Sequence, residues 1–107
     1  MKTRTLLLSA AVALAPVLAL AQNPSAVRKA FMDAHQKMMS GMPKPASGDA
    51  DKDFASMMIP HHQGAIDMAK IEFQFGKDAK LRAMAEKMIK DQEKEIADLT
   101  VWQKSHR

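Results

Sequence analysis

The chain has 107 residues, enough for one domain, and its 16 Lys and Arg against 12 Asp and Glu leave a formal charge of +4. That charge is too weak and too dispersed among acids to specify nucleic acid, and one tryptophan with no tyrosine offers no platform for stacking bases. Cysteine is absent, which excludes thiolate zinc and iron–sulfur centres, thioredoxin-like redox chemistry and covalent c-type haem attachment.

The N-terminus reads as a targeting segment. Met1-Lys2-Thr3-Arg4 is basic, Leu6 to Leu20 is an apolar run, and Ala19-Leu20-Ala21 is a small-residue cleavage pattern. We expect a secretory signal peptide over residues 1–21, cleaved after Ala21, and a single domain over residues 22–107. The run is broken by Pro16 and is short for a ~20-residue membrane span. The mature chain is therefore expected in the periplasm or outside the cell, with no membrane attachment. Loss of Lys2 and Arg4 leaves 14 basic residues against 12 acidic ones, while nine of the ten methionines remain.

After the signal, Asn23 can cap a first helix with Pro24 at its first position, where a missing N–H costs nothing. This helix should run to about Ser40, with Phe31, His35, Met38 and Met42 on one face and Met39 a turn beyond His35. Gly41, Pro43, Pro45 and Gly48 break it. A second helix should start near Asp49, with Asp51 and Asp53 at the positive end of its dipole. It should end at Gly76 in a left-handed cap. At 100° per residue, Phe54, Met57, Met58, His61, Ala65, Met68, Ala69 and Phe75 form its inward stripe, which points His61 to the core and leaves His62 at the edge. A third helix should begin near Asp78 and bury Leu81, Met84, Ala85, Met88, Gln92, Ile96, Leu99 and Trp102.

No segment alternates as a strand would, so the expected class is all-α. The short break at Gly76-Lys77 predicts that the second and third helices form a long antiparallel hairpin. In that register His61 faces Gln92 and Glu93, and Met68 faces the level between Met84 and Met88. Two helices of ~39 Å beside a shorter one leave one groove of the bundle partly open. A second copy, forming a homodimer, would fill it.

The chemistry concentrates in Met57-Met58-Ile59-Pro60-His61-His62-Gln63-Gly64-Ala65-Ile66-Asp67-Met68. Thioether sulfur is soft and neutral and prefers Cu(I) or Ag(I), and imidazole also binds Cu(II), so a mixed site can hold copper in either state. Met57, Met58 and His61, at spacings of three and four, can converge on one ion. Met68 lies seven residues on, too far to share that ion easily. Pro60 should bend the helix just before His61. Gly64 and Ala65 leave a hollow for an ion or for a methionine of a facing helix. His35, Met38, Met39 and Met42 are a second donor group, which can complete the first site or form its own. Met84 and Met88 face the same region from the third helix. Methionine is also a common apolar gap-filler, so a small helical interaction module with a methionine-rich core is the alternative reading.

Enzymatic signatures are lacking. There is no pair of Glu-x-x-His motifs for a di-iron site, no His-Glu-x-x-His, and no serine or threonine beside a plausible histidine base. Glu72 and Glu95, the carboxylates on inward stripes, form no evident pair.

The run Asp53-Phe54, Met57 through Ala69, then Leu81-Arg82, Gln92, Glu95-Ile96 and Trp102 resembles the bacterial family catalogued as domain of unknown function 305. That family has a Met-Ile-Pro-His-His signature and includes CopM-like periplasmic copper-binding proteins. The resemblance covers about residues 49–103. It implies a ferritin-like four-helix bundle, export, and copper bound through Met57, Met58, His61, His62 and Met68. Leu99 departs from the family, where methionine is frequent, so one thioether is missing at that end. The expected function is a non-enzymatic copper-binding protein that buffers, sequesters or delivers the metal, exchanging it with a donor or acceptor protein.

Overall fold

The computed structural model describes residues 23–107, so the expected signal peptide lies outside the described residues. Three helices follow in order: α1 (Pro24–Gly41), α2 (Ala50–Phe75) and α3 (Ala79–Ser105). No strand occurs among the described residues, and none of the helices there is long and apolar enough to cross a membrane.

Each helix starts where a short polar side chain can satisfy its free N–H groups. Asn23 accepts from the Ser25 amide (3.0 Å), Asp49 from Asp51 and Lys52 (2.9 and 3.2 Å), and Asp78 from Leu81 (2.8 Å). Ahead of α2, the Ser47 amide and hydroxyl both donate to the Asp53 carboxylate (3.1 and 2.7 Å). The clasp closes through Gly48, whose φ of +74° is the only positive value among the described residues.

Gly76 does not form the expected left-handed cap. Its φ of −66° and ψ of 150° are extended, and its amide reaches back to the Glu72 carbonyl at 2.7 Å. Close approach, and not backbone handedness, is what requires glycine here: a Cβ at this position would stand 2.5 Å from that carbonyl oxygen.

The α2/α3 hairpin forms as expected and is the larger interface, whereas α1 packs on α2 alone. At the turn, Arg82 donates to the Phe73 carbonyl (3.2 Å) and lays its guanidinium over the Phe73 ring (5.2 Å). At the far end, Gln103 reaches Ser56 (3.5 Å). The seams are made of small residues. Ala34, Ala55, Gly64, Ala69 and Ala85 are buried, with Ile66 the one large side chain among them. Small side chains let helix axes approach closely, but they remove little apolar area from water.

The stripes expected to be buried are therefore only partly covered. Phe54 (60 %), Leu81 (51 %), Met84 (44 %) and Met88 (48 %) remain exposed. The reason is topological: α1 lies against α2 and makes no contact with α3, so among the described residues no helix covers the groove between α2 and α3. The outer face of α3 carries the i,i+4 pairs Lys87–Asp91, Glu86–Lys90 and Lys94–Asp98, a solvated surface where water screens each pair and leaves it little weight in stability.

Candidate metal centre

Pro60 does not end α2, which runs unbroken from Ala50 to Phe75. Having no N–H, Pro60 leaves the Ser56 carbonyl without its usual donor. The Ser56 hydroxyl instead donates one turn back, to the Lys52 carbonyl (2.9 Å).

The two histidines after Pro60 are placed in the reverse of the expected order. His61 is exposed, and His62 is the one turned inward, its side chain only 14 % accessible. His62 Nε2 meets the Glu95 carboxylate of α3, so His62, and not His61, contacts the facing helix. The rings stand 6.3 Å apart and are tilted by 59°. The expected pairing of His61 with Gln92 and Glu93 is replaced by this contact, because α2 is rotated about one residue from the direction that hydropathy alone selects. Met58, three residues before His61 and four before His62, lies between the two rings around the helix, whereas Met57 shares the side of His61.

Gly64 has the role its small size suggested. Met38 of α1 sits in the notch: a Cβ on Gly64 would be 2.5 Å from the Met38 sulfur and 2.7 Å from its Cγ. One α1 thioether is thus inserted into α2 a turn after His61 and a turn before Met68.

This contact, with the Lys37–Asp67 ion pair (3.5 Å), sets α1 antiparallel to α2 and marks one flank of their seam. Around α1, His35 and Met42 lie on the other flank of Met38 from Lys37. Around α2, Met57, His61 and Met68 lie on the other flank of Gly64 from Asp67. The two sets of donors therefore border the same groove. By axial rise, Met42 comes near the level of His61, and His35 near that of Met68. From the other side, Met84 and Met88 line one hollow with Ala65, Met68, Ala69 and Glu72, matching the expected level for Met68. Met39, 40° beyond His35 around α1, lies on the same flank as His35 and Met42 and is exposed.

Of the residues singled out from sequence, Met38, Met39, Met42, His35, Met57, His61, Met68, Met84 and Met88 thus share one side, while His62 is held inward. Among the described residues, no three His, Asp or Glu side chains cluster as a metal site. Any centre on this face depends on thioethers. Glu95 is the residue that sequence reasoning left without a role. Its place on the inward stripe of α3 was visible, but its partner depended on helix rotation.

The chain matches the family described as domain of unknown function (DUF305) over residues 12–103. It belongs to that family. The match spans most of the chain and includes all eleven donors considered above. No curated protein matches the chain. In this DUF305 protein the Pro60-His61-His62 segment lies on α2, the helix that contacts both α1 and α3.

Proposed function

We propose that this protein binds copper, as Cu(I) or Cu(II) and also Ag(I), and buffers, sequesters or delivers it after export to the periplasm. The observation that supports this most is the thioether of Met38 seated on Gly64 between His61 and Met68. A helix interior pays about 1 kcal/mol for glycine relative to alanine, and here the vacancy admits a soft donor from another helix. The proposed donors fall into two groups along the groove: Met57, His61 and Met42 toward one end, Met68, His35, Met84 and Met88 toward the other, with Met38 between them. Such a set suits a soft cation in mixed thioether and imidazole ligation.

The alternative, a methionine-rich core without metal, accounts poorly for these side chains. An apolar core gives no reason for the imidazoles of His35 and His61 to border the same groove as its thioethers. Exposure of His61 suits exchange with a donor or acceptor protein, a binding role and not a catalytic one. A CopM-like character within the family and a ferritin-like four-helix arrangement belong to the same proposal, with a helix of a second copy lying in the open groove.

The test is competition for Cu(I) between the purified protein and a chelator. We expect 1:1 or higher uptake in the wild type and a clear loss of affinity in Met57→Ala/His61→Ala. No competition by the wild type, or unchanged affinity in the double variant, would overturn the reading.

A further inference from the structure

His62 presents an unusual pair of ring nitrogens. Nε2 is engaged by the Glu95 carboxylate, while Nδ1 is buried and has no hydrogen-bond partner. A carboxylate only accepts, so in the neutral ring the proton resides on Nε2 and the lone pair on Nδ1. A buried acceptor left without a donor is uncommon in folded proteins and points to something that completes it. Met58, one turn earlier on α2, brings a thioether to the same side of the helix.

We propose that Glu95 is a positioning residue for metal capture: it holds His62 in the Nε2–H tautomer so that Nδ1 is the nitrogen offered to a soft cation, with the Met58 sulfur as its neighbour. A ligating histidine whose second nitrogen donates to a carboxylate is fixed in orientation and made a better donor, and removing such a carboxylate costs about 10- to 100-fold in metal affinity. The two adjacent histidines would then differ in task. His62 is anchored from α3, and the exposed His61 is free to turn. This inference rests on the soft-metal reading above.

The experiment uses the uniformly ¹⁵N-labelled chain and long-range proton–nitrogen spectra at a pH of about 8, above the ordinary imidazole range, before and after addition of Ag(I). In the wild type we expect His62 as the Nε2–H tautomer, with Ag(I) shifting its Nδ1 resonance. Glu95→Ala should mix the tautomers and weaken the Ag(I) response of His62 about 10- to 100-fold. Glu95→Gln, whose amide oxygen can still accept from Nε2, should restore most of both, and matching amide spectra establish that each variant is folded. An Nδ1–H tautomer in the wild type, or one unchanged in Glu95→Ala, overturns the proposal. So does Ag(I) shifting His61 and methionine methyl groups while His62 Nδ1 stays unmoved, an outcome that leaves the copper reading standing. If Ag(I) shifts no histidine or methionine resonance at all, both fall together.

Discussion

Gly64→Ala is the substitution on which the α1–α2 arrangement stands or falls. In an open helix the change stabilises by about 1 kcal/mol, because alanine loses less backbone entropy than glycine. Here the new methyl would stand 2.5 Å from the Met38 sulfur, 2.7 Å from Cγ and 3.0 Å from Cβ. The sulfur can swing aside, but Cβ cannot move without α1, so the contact is an overpacking cost of about 1–3 kcal/mol. Set against the propensity gain, the net effect is a loss of about 0–2 kcal/mol, where each kcal/mol lowers Tm by about 4–8 °C in a domain of this size. Urea unfolding of the metal-free protein measures it. The sharper readout is a double-mutant cycle with Met38→Ala, which removes the sulfur and Cγ and leaves only the 3.0 Å contact to relax. Gly64→Ala should then recover most of its intrinsic gain, giving a coupling of at least about 1 kcal/mol between the two sites. A Gly64→Ala protein that is about 1 kcal/mol more stable than wild type in both backgrounds would refute the seating of Met38 on Gly64.

Three further outcomes are expected. The hydroxyl and then the amide of Ser47 hold the Asp53 carboxyl below its ordinary value of 3.8. A depressed folded-state pKa adds stability above the unfolded value that is lost as pH falls through the folded one, so Ser47→Ala should bring the Asp53 titration part of the way back up in carboxyl NMR. Its stability deficit should shrink as pH drops below 3.8, and an unmoved titration would count against the clasp. Gly76→Ala should destabilise by about 1–3 kcal/mol through the Glu72 carbonyl. Gly41→Ala, with nothing within 4 Å of the added methyl, should be neutral or stabilising by up to about 1 kcal/mol; equal effects in denaturant unfolding would mean that close approach is not what Gly76 serves. Sedimentation at micromolar concentration should give the mass of two copies, reduced to one by Leu81→Lys with Met84→Lys on the exposed groove. A single-copy mass in the wild type would remove the second copy as the groove's occupant.

Local chemistry was enough to delimit the helices. Asn23, Asp49 and Asp78 precede apolar periodicity and offer oxygen to free amides within three residues, a short-range interaction that needs no partner helix. The Gly76–Asp78 break likewise dictates the α2/α3 hairpin, and the Met57–Met68 segment declares its soft-donor character by composition alone. Sequence also indicated a notch at Gly64, since an unexplained glycine inside a helix asks for a neighbour. What periodicity could not supply was rotation and coverage. His61 and His62 are 100° apart on α2, and hydropathy, which ranks the two identical side chains equally, cannot decide which turns inward. The packing of α2 through Ala55, Gly64, Ile66 and Ala69 decides it, and Glu95, 33 residues away, meets the ring that is turned inward. Nor can a wheel tell whether an apolar stripe is buried, because that depends on which helices lie over it: α1 docks on α2 alone, so Leu81, Met84 and Met88 line an open groove and not a core. Donor identity thus belongs to the sequence, while the grouping of donors on one face belongs to the tertiary fold, because it takes contacts between helices to bring Met38, His61 and Met84 to the same side.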